Sequence, residues 1–342
     1  MNQPGIDGIL LREDHFIADM KSQVQPCLEA CREDLTLFRE EDHPIHCVRY
    51  SPARLQAAAP AAGSAPPPLR GMIVMSHGFT ETTEKYRELI YYFLRCGYVV
   101  SIQDHCGHGR SYRLTADASR VHIDRYERYR DDLLFAAHAA HDAFPELPLY
   151  LFGHSMGGGI AAAAAAAEPA LFAKVILSSP MIRPTSGGVP WFATRLICAF
   201  FCAIGREESY APGQGPYRPG ERFEDSAASS EPRFRYYKEL RDADPSLQMG
   251  GATYGWMNAA VQLSTFLLQK GWRTISCPVL LLQAEDDAFV MNAQQDEFME
   301  KLSGINASSR RIHIDGTKHE LFNSCDEVLR EYLALLFDFL NG

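Results

Sequence analysis

The sequence lacks a C-x-x-C pair, a long apolar run and a stripe of cations, and each absence removes a class of function. Its nine cysteines include Cys27/Cys31 and Cys198/Cys202 at helical spacing. With an odd count and no C-x-x-C, buried or incidental thiols in a reducing compartment are expected. No apolar stretch reaches the roughly 20 residues of a spanning helix. Met1 to Leu11 has no basic segment followed by an apolar run and a small-residue cleavage site, so no secretory signal is expected. The expected location is the cytoplasm. Lys and Arg number 33 against 43 Asp and Glu, a formal charge of −10, and the cations are scattered. Nucleic acid is therefore not an expected partner.

What is present suits one large domain with an insertion, or at most two domains: 342 residues, 46% hydrophobic and 22% charged. Residues 1–50 are mixed and polar, with a helix expected at Lys21 to Arg32 and an extended piece at Ile45 to Tyr50. Pro52 to Pro68, rich in Ala and Pro, reads as an exposed loop. A regular alternation follows. Strands are expected at Gly71–Ser76, Tyr98–Asp104, Leu149–Phe152 and Lys174–Ser178, with helices at Glu84–Cys96, at Asp124–Phe144 and from Met156. After a break of about ninety residues the pattern resumes: strand Pro278–Gln283, helix Asn292–Leu302, strand Arg310–Ile314, helix Glu320–Leu340. Apolar strands separated by helices mean a mostly parallel sheet covered on both faces, an α/β architecture. The interruption implies an inserted helical cap at 183–272 on a core of 1–182 and 273–342.

Gly153-His154-Ser155-Met156-Gly157 matches G-x-S-x-G between the strand LYLF and the helix after it, where a nucleophile elbow must sit. Read blandly it is a Gly-rich turn with a capping Ser. The flanking strand, the helix and the Gly157-Gly158-Gly159 continuation favour catalysis. A serine hydroxyl needs a base in hydrogen-bond reach, itself oriented by a carboxylate, and on such an elbow these follow in the order Ser, acid, His. Asp287 lies just past PVLLLQ and is the first choice for the acid, with its neighbour Asp286 the second. His319 follows RIHI across the turn Asp315 to Lys318 and is the expected base. The charge that attack places on the carbonyl oxygen requires two backbone N–H donors. Met156, after the nucleophile, should supply one, and Phe79 in the loop His77-Gly78-Phe79-Thr80 the other. His77 is expected to shape that loop rather than titrate. His105, Cys106 and His108 crowd one Gly-rich loop and are not read as metal ligands; no metal and no cofactor are expected.

His77-Gly78 with Glu81 and Tyr86, Asp104 to Ser111 (DHCGHGRS) and GHSMGG at 153–158 together resemble the monoglyceride lipase and lysophospholipase branch of the α/β-hydrolases. His122-Ile123-Asp124 with Tyr126 and Tyr129 to Asp132, Gln283-Ala284-Glu285, and Thr253-Tyr254-Gly255-Trp256 are similar to its bacterial lysophospholipase L2 group. The resemblance runs from about residue 71 to the end. It implies the α/β-hydrolase fold, a serine nucleophile at Ser155, the acid at Asp287, the base at His319 and oxyanion donors on Phe79 and Met156. Cys106 stands where Arg is more usual, which bears on loop packing and not on the chemistry.

The triad serves esters and amides alike, so substrate class rests on the cap. Residues 191–204 (WFATRLICAFFCAI) are nearly all apolar. Such a helix is either a cap core helix or one laid against lipid. Either way an acyl chain is the expected occupant, with Trp191, Phe192, Phe200, Tyr254 and Trp256 as candidate contacts. From Gly205 to Phe234 the composition is that of a loop beside the entrance. The expected function is hydrolysis of a single-chain lipid ester, a lysophospholipid or monoacylglycerol, through an acyl-enzyme. A peptide, thioester or non-lipid ester is the first alternative, and a non-catalytic scaffold the second. Peripheral membrane contact through the cap is a further expectation; oligomeric state is left open.

Overall fold

A computed structural model describes residues 6–54 and 68–342. Most of the expected Pro52–Pro68 loop lies outside the described residues. Eight strands form one sheet: β1 (Arg32–Phe38), β2 (Pro44–Tyr50), β3 (Gly71–Ser76), β4 (Tyr98–Gln103), β5 (Leu149–His154), β6 (Lys174–Ser178), β7 (Val279–Asp286) and β8 (Arg310–Lys318). Their spatial order is β1-β2-β4-β3-β5-β6-β7-β8. β2 runs antiparallel to β1 and β4, and the other neighbours are parallel.

Every residue of β3, β4 and β5 is buried, because helices cover both faces of a parallel sheet. One face carries α1 (Gln25–Cys31), α2 (Arg87–Arg95) and the last helix, α9 (Asp326–Asn341). The other carries α3 (Tyr126–Ala143), α4 (Met156–Ala167), α7 (Tyr254–Gln269) and α8 (Asn292–Ser303). Ala161 to Ala165 of α4 have no exposed surface. Small side chains there let the helix lie close to the sheet and to α7. Between β6 and β7 the chain leaves the sheet and forms α5 (Trp191–Ala203), α6 (Glu231–Ala243) and α7.

Several boundaries differ from the sequence reading. The first helical stretch begins with a single turn at Phe16–Asp19, continues as a π-helical turn at Met20–Val24, and ends at Cys31 instead of Arg32. Arg32 opens β1, a strand the polar sequence concealed; it is an edge strand with no buried residue, and its charges suit an unpaired edge. The turn expected at Asp315 to Lys318 is the end of β8, paired irregularly with β7 across a bulge at Ala284/Asp286. The stretch read as loop to Phe234 gives way to α6 at Glu231.

Candidate active site

The ends of three strands, β5, β7 and β8, converge at the carboxyl edge of the sheet. Ser155 joins β5 to α4 with φ 53° and ψ −120°, a backbone that side-chain-bearing residues rarely adopt. Two hydrogen bonds hold it there: its N–H donates to Ser178 O at 3.1 Å, and its carbonyl accepts from Met181 N at 2.7 Å. Gly157 must be glycine, since a Cβ would stand 2.1 Å from the carbonyl oxygen of Ser76 on the neighbouring strand.

His319 lies one residue beyond β8. Its Nε2 is 2.7 Å from Ser155 Oγ, and its Nδ1 is 2.7 Å from Asp287 Oδ2. An ionised carboxylate only accepts, so Nδ1 carries the proton and Nε2 is left to accept from the serine hydroxyl. Asp287 is itself fixed: its Oδ1 accepts from Phe289 N at 2.9 Å and Val290 N at 3.0 Å. Burial opposes its charge, but the His319 hydrogen bond and the two amides together hold its carboxyl below the usual range. Asp286, the other sequence candidate, is exposed at the end of β7, opposite Lys318.

The two backbone donors expected from sequence sit on the loop after β3 and at the first residue of α4. Among the described residues neither the Phe79 N–H nor the Met156 N–H is taken by another protein group, as befits a loop tip and an open helix start. His77 lies behind this loop. Its Nε2 accepts from His105 N at 2.9 Å, so its Nδ1 donates to Gly78 O at 2.8 Å. Burial lowers its pKa. His154 of the elbow is likewise buried neutral, its pKa pushed down to about 4 chiefly by desolvation, with Nδ1 at 3.1 Å from Ser178 O.

A model of the family described as "Serine aminopeptidase, S33" matches residues 67–326. The chain belongs to this family. The matched span of the S33 hydrolase takes in Ser155, Asp287 and His319. Its relatives place it in the monoglyceride lipase and lysophospholipase branch of the α/β-hydrolases. It is 31% identical to lysophospholipase L2 of Escherichia coli K12 over 274 residues, 79% of this chain and 80% of that one. It is 28% identical to the monoacylglycerol lipase of Mycolicibacterium smegmatis over 264 residues, 76% of this chain and 85% of that one. In fold it is similar to a soluble variant of Saccharomyces cerevisiae monoglyceride lipase, solved with a substrate analog, at a TM-score of 0.70 and 17% identity, covering 91% of this chain and 95% of that one.

The S33 hydrolase disposes the aromatic candidates in two groups. Phe192 and Phe200 stand out from α5, while Trp191 is half-buried beneath the guanidinium of Arg183 at 4.9 Å. Tyr254 and Trp256 are buried, the first stacked on Phe201 at 4.0 Å and the second packed on Phe79 at 4.4 Å. Trp256 thus supports the loop that carries an expected donor.

Sequence reasoning missed Phe289. Its ring is 47% exposed yet 5.2 Å from that of His319, held there by the turn that orients Asp287. The signal available was an aromatic two residues past the acid. His105 and His108 are buried in hydrogen-bonded loop positions, to Ser76 Oγ and to Cys106 O. The group whose ligand atoms lie close enough to share a cation, Glu285, His313 and Asp315, is exposed, and Glu285 already accepts the Gly316 N–H.

Proposed function

We propose that this S33 hydrolase cleaves single-chain lipid esters, lysophospholipids or monoacylglycerols, through an acyl-enzyme on Ser155. The observation that carries the reading is the unbroken relay Ser155–His319–Asp287, with both links at 2.7 Å. Ser155 Oγ attacks the carbonyl carbon while His319 Nε2 takes the hydroxyl proton, and Asp287 balances the imidazolium. The negative oxygen is held by the Phe79 and Met156 amides. Collapse returns the proton from His319 to the departing alcohol oxygen. Water, deprotonated by the same ring, then frees the fatty acid. The residues needed supply all of this without metal or organic cofactor.

The lipid substrate is supported by the printed activities of the relatives and by the apolar cover of residues 183–272, which we assign as the cap. The family description favours peptide cleavage as a second reading, and acyl-ester and aminoacyl-amide panels discriminate them. A preference that rises with acyl length supports lipid; a sharp optimum at acetyl or at an aminoacyl amide opposes it.

We also assign α5 as a lipid-facing helix. Phe192, Leu196, Phe200 and Ile204 are 69%, 67%, 58% and 53% exposed at a strict four-residue spacing. In a chain of net charge −10, residues 169–206 contain no Asp or Glu but include Arg183, Arg195 and Arg206. A groove of about 700 Å³ bounded by α5, α7 and the start of α3 is lined by Phe192, Leu196, Val261 and Phe266, with Arg195 and Lys270 against the one carboxylate of Glu127. Apolar residues flanked by cations suit the surface of an anionic bilayer. Among the described residues no helix is long and apolar enough to cross a membrane. All nine cysteines are free thiols, which supports a reducing compartment such as the cytoplasm.

Ser155→Ala should abolish fluorophosphonate labelling and lower kcat by on the order of 10⁶. Full esterase activity in that variant would end this reading. Asp287→Asn should cost about 10⁴ in kcat by disturbing the tautomer, whereas Asp286→Asn should stay within a few-fold.

A further inference from the structure

We propose that Lys85 is a positioning residue: its buried ammonium ties the loop that carries the oxyanion donor to the loop that carries the base. The proposal rests on the reading above and deepens it.

Lys85 belongs to the 3-10 turn Thr83–Tyr86 that leads into α2. Its side chain is 9% exposed and reaches two carboxylates, Glu81 Oε1 at 2.9 Å and Glu320 Oε1 at 2.5 Å. The ring of Tyr237, from α6, covers its third side at 5.2 Å.

Each carboxylate then holds one wall of the site. Glu81 Oε2 accepts from Gly78 N at 2.7 Å and from the Tyr86 hydroxyl at 2.5 Å. The loop is so close to this carboxylate that a Cβ on Gly78 would meet Glu81 Oε2 at 2.7 Å. With Gly78 O in the grip of His77, both polar groups of residue 78 are fixed. The peptide joining 78 to 79 is planar and trans, so its N–H points opposite to its carbonyl. Fixing Gly78 therefore fixes the direction in which the Phe79 N–H is aimed.

Glu320 is the residue after His319. Its Oε2 accepts from Asn323 Nδ2 at 2.7 Å, and its N–H donates to Ala227 O at 3.0 Å. The ammonium thus ties its own segment to one 235 residues further along the chain. Burial opposes the charge of Glu81, yet Lys85, the nearby His154 and the Tyr86 hydroxyl hold its carboxyl well below the usual range. Without Lys85, two buried carboxylates would face each other unneutralised. They would separate, or one would take a proton. Either change loosens the Gly78 grip. Lys85 touches no reacting atom, and its effect passes wholly through geometry, where displacements of about 1 Å cost about 10²-fold.

The test compares Lys85→Met, Lys85→Arg and Glu320→Gln in the full chain. Active sites are titrated with a fluorophosphonate, and a water-soluble p-nitrophenyl ester is the substrate. Lys85→Met should lower kcat by about 10- to 100-fold with KM nearly unchanged, and weaken a trifluoromethyl ketone, which mimics the tetrahedral state, by a similar factor. Lys85→Arg should recover most of both. Glu320→Gln, which cuts one arm, should lose less of each and covers the case in which Lys85→Met does not fold. Kcat per titrated site and ketone affinity within two-fold of wild type in every folded variant would overturn the proposal, since a merely structural lysine moves only the melting temperature. Wild-type protein that takes no fluorophosphonate label would instead overturn the reading beneath it.

Discussion

The two halves of the segment between β6 and β7 invert the usual relation between composition and burial. α5 is almost entirely apolar, yet Thr194 and Cys198 are its only buried residues. α6 is charged along its length, yet it holds the largest fully buried side chain of the described residues, Arg233. That guanidinium meets Glu88 at 3.0 Å, Asp326 at 3.2 Å, the carbonyls of Ser324 and Leu11 at 3.1 and 3.0 Å, and the ring of Phe16 at 4.9 Å. Burial has followed the supply of partners. A cation with every donor satisfied can lie inside, whereas an apolar helix with nothing in the described chain to cover it stays outside.

Breaking the buried half should have the largest effect. Arg233→Met leaves the buried Glu88 without its cation, while Asp326 keeps Arg12 at 3.1 Å, and should cost about 3–5 kcal/mol in urea unfolding. A loss under 1 kcal/mol would mean that α6 is held by its other contacts. The exposed half should respond in the opposite way: Phe192→Ser, Leu196→Ser and Phe200→Ser combined should leave unfolding nearly unchanged but weaken binding to anionic vesicles at least tenfold, given about 1.5–3 kcal/mol for each large side chain fully buried. Unaltered vesicle binding would remove the lipid-facing role of α5.

Acid should also distinguish α5 from the loops around the triad. Glu81 and Asp287 have carboxyls depressed in the folded state, so the unfolded chain binds more protons than the native one. Their stabilisation is complete above the ordinary carboxylate range near pH 4 and is lost as pH falls through their lower folded values. Hydrogen exchange around residues 81, 287 and 319 should therefore speed up, relative to the intrinsic rate, as pH drops below about 4. α5, with no carboxylate, should show no such step. The smallest effect sharpens the charge argument. Arg195 makes no ion pair among the described residues, and Arg195→Glu should reduce anionic-vesicle binding by several-fold, at about 1 kcal/mol per surface cation, an effect that added salt removes.

The sheet was legible because its strands are short apolar runs set at helical intervals, and the elbow because G-x-S-x-G falls between one of those runs and a helix. β1 was not, since an edge strand fully buries nothing and only Leu35 and Leu37 alternate in REDLTLF, behind three charged residues. The exposure of α5 was beyond periodicity, because a helix apolar on every side has no face to read. Tyr254 and Trp256 gave no sign of whether they line a pocket or fill a core; an aromatic serves both. The Lys85 tie left only half a trace, since Glu81 stands four residues upstream but Glu320 stands 235 downstream. A sequence pattern records neighbours along a strand or helix, and buried ion pairs are chosen across the fold.

The bolts between α6 and the histidine loop carry one more consequence. Ser229 N and Ser230 N both donate to Asn323 O, at 3.1 and 3.0 Å, and Lys318 N donates to Ser229 Oγ at 3.2 Å. Swinging that end of the cover away from the sheet would drag the imidazole off the nucleophile with it.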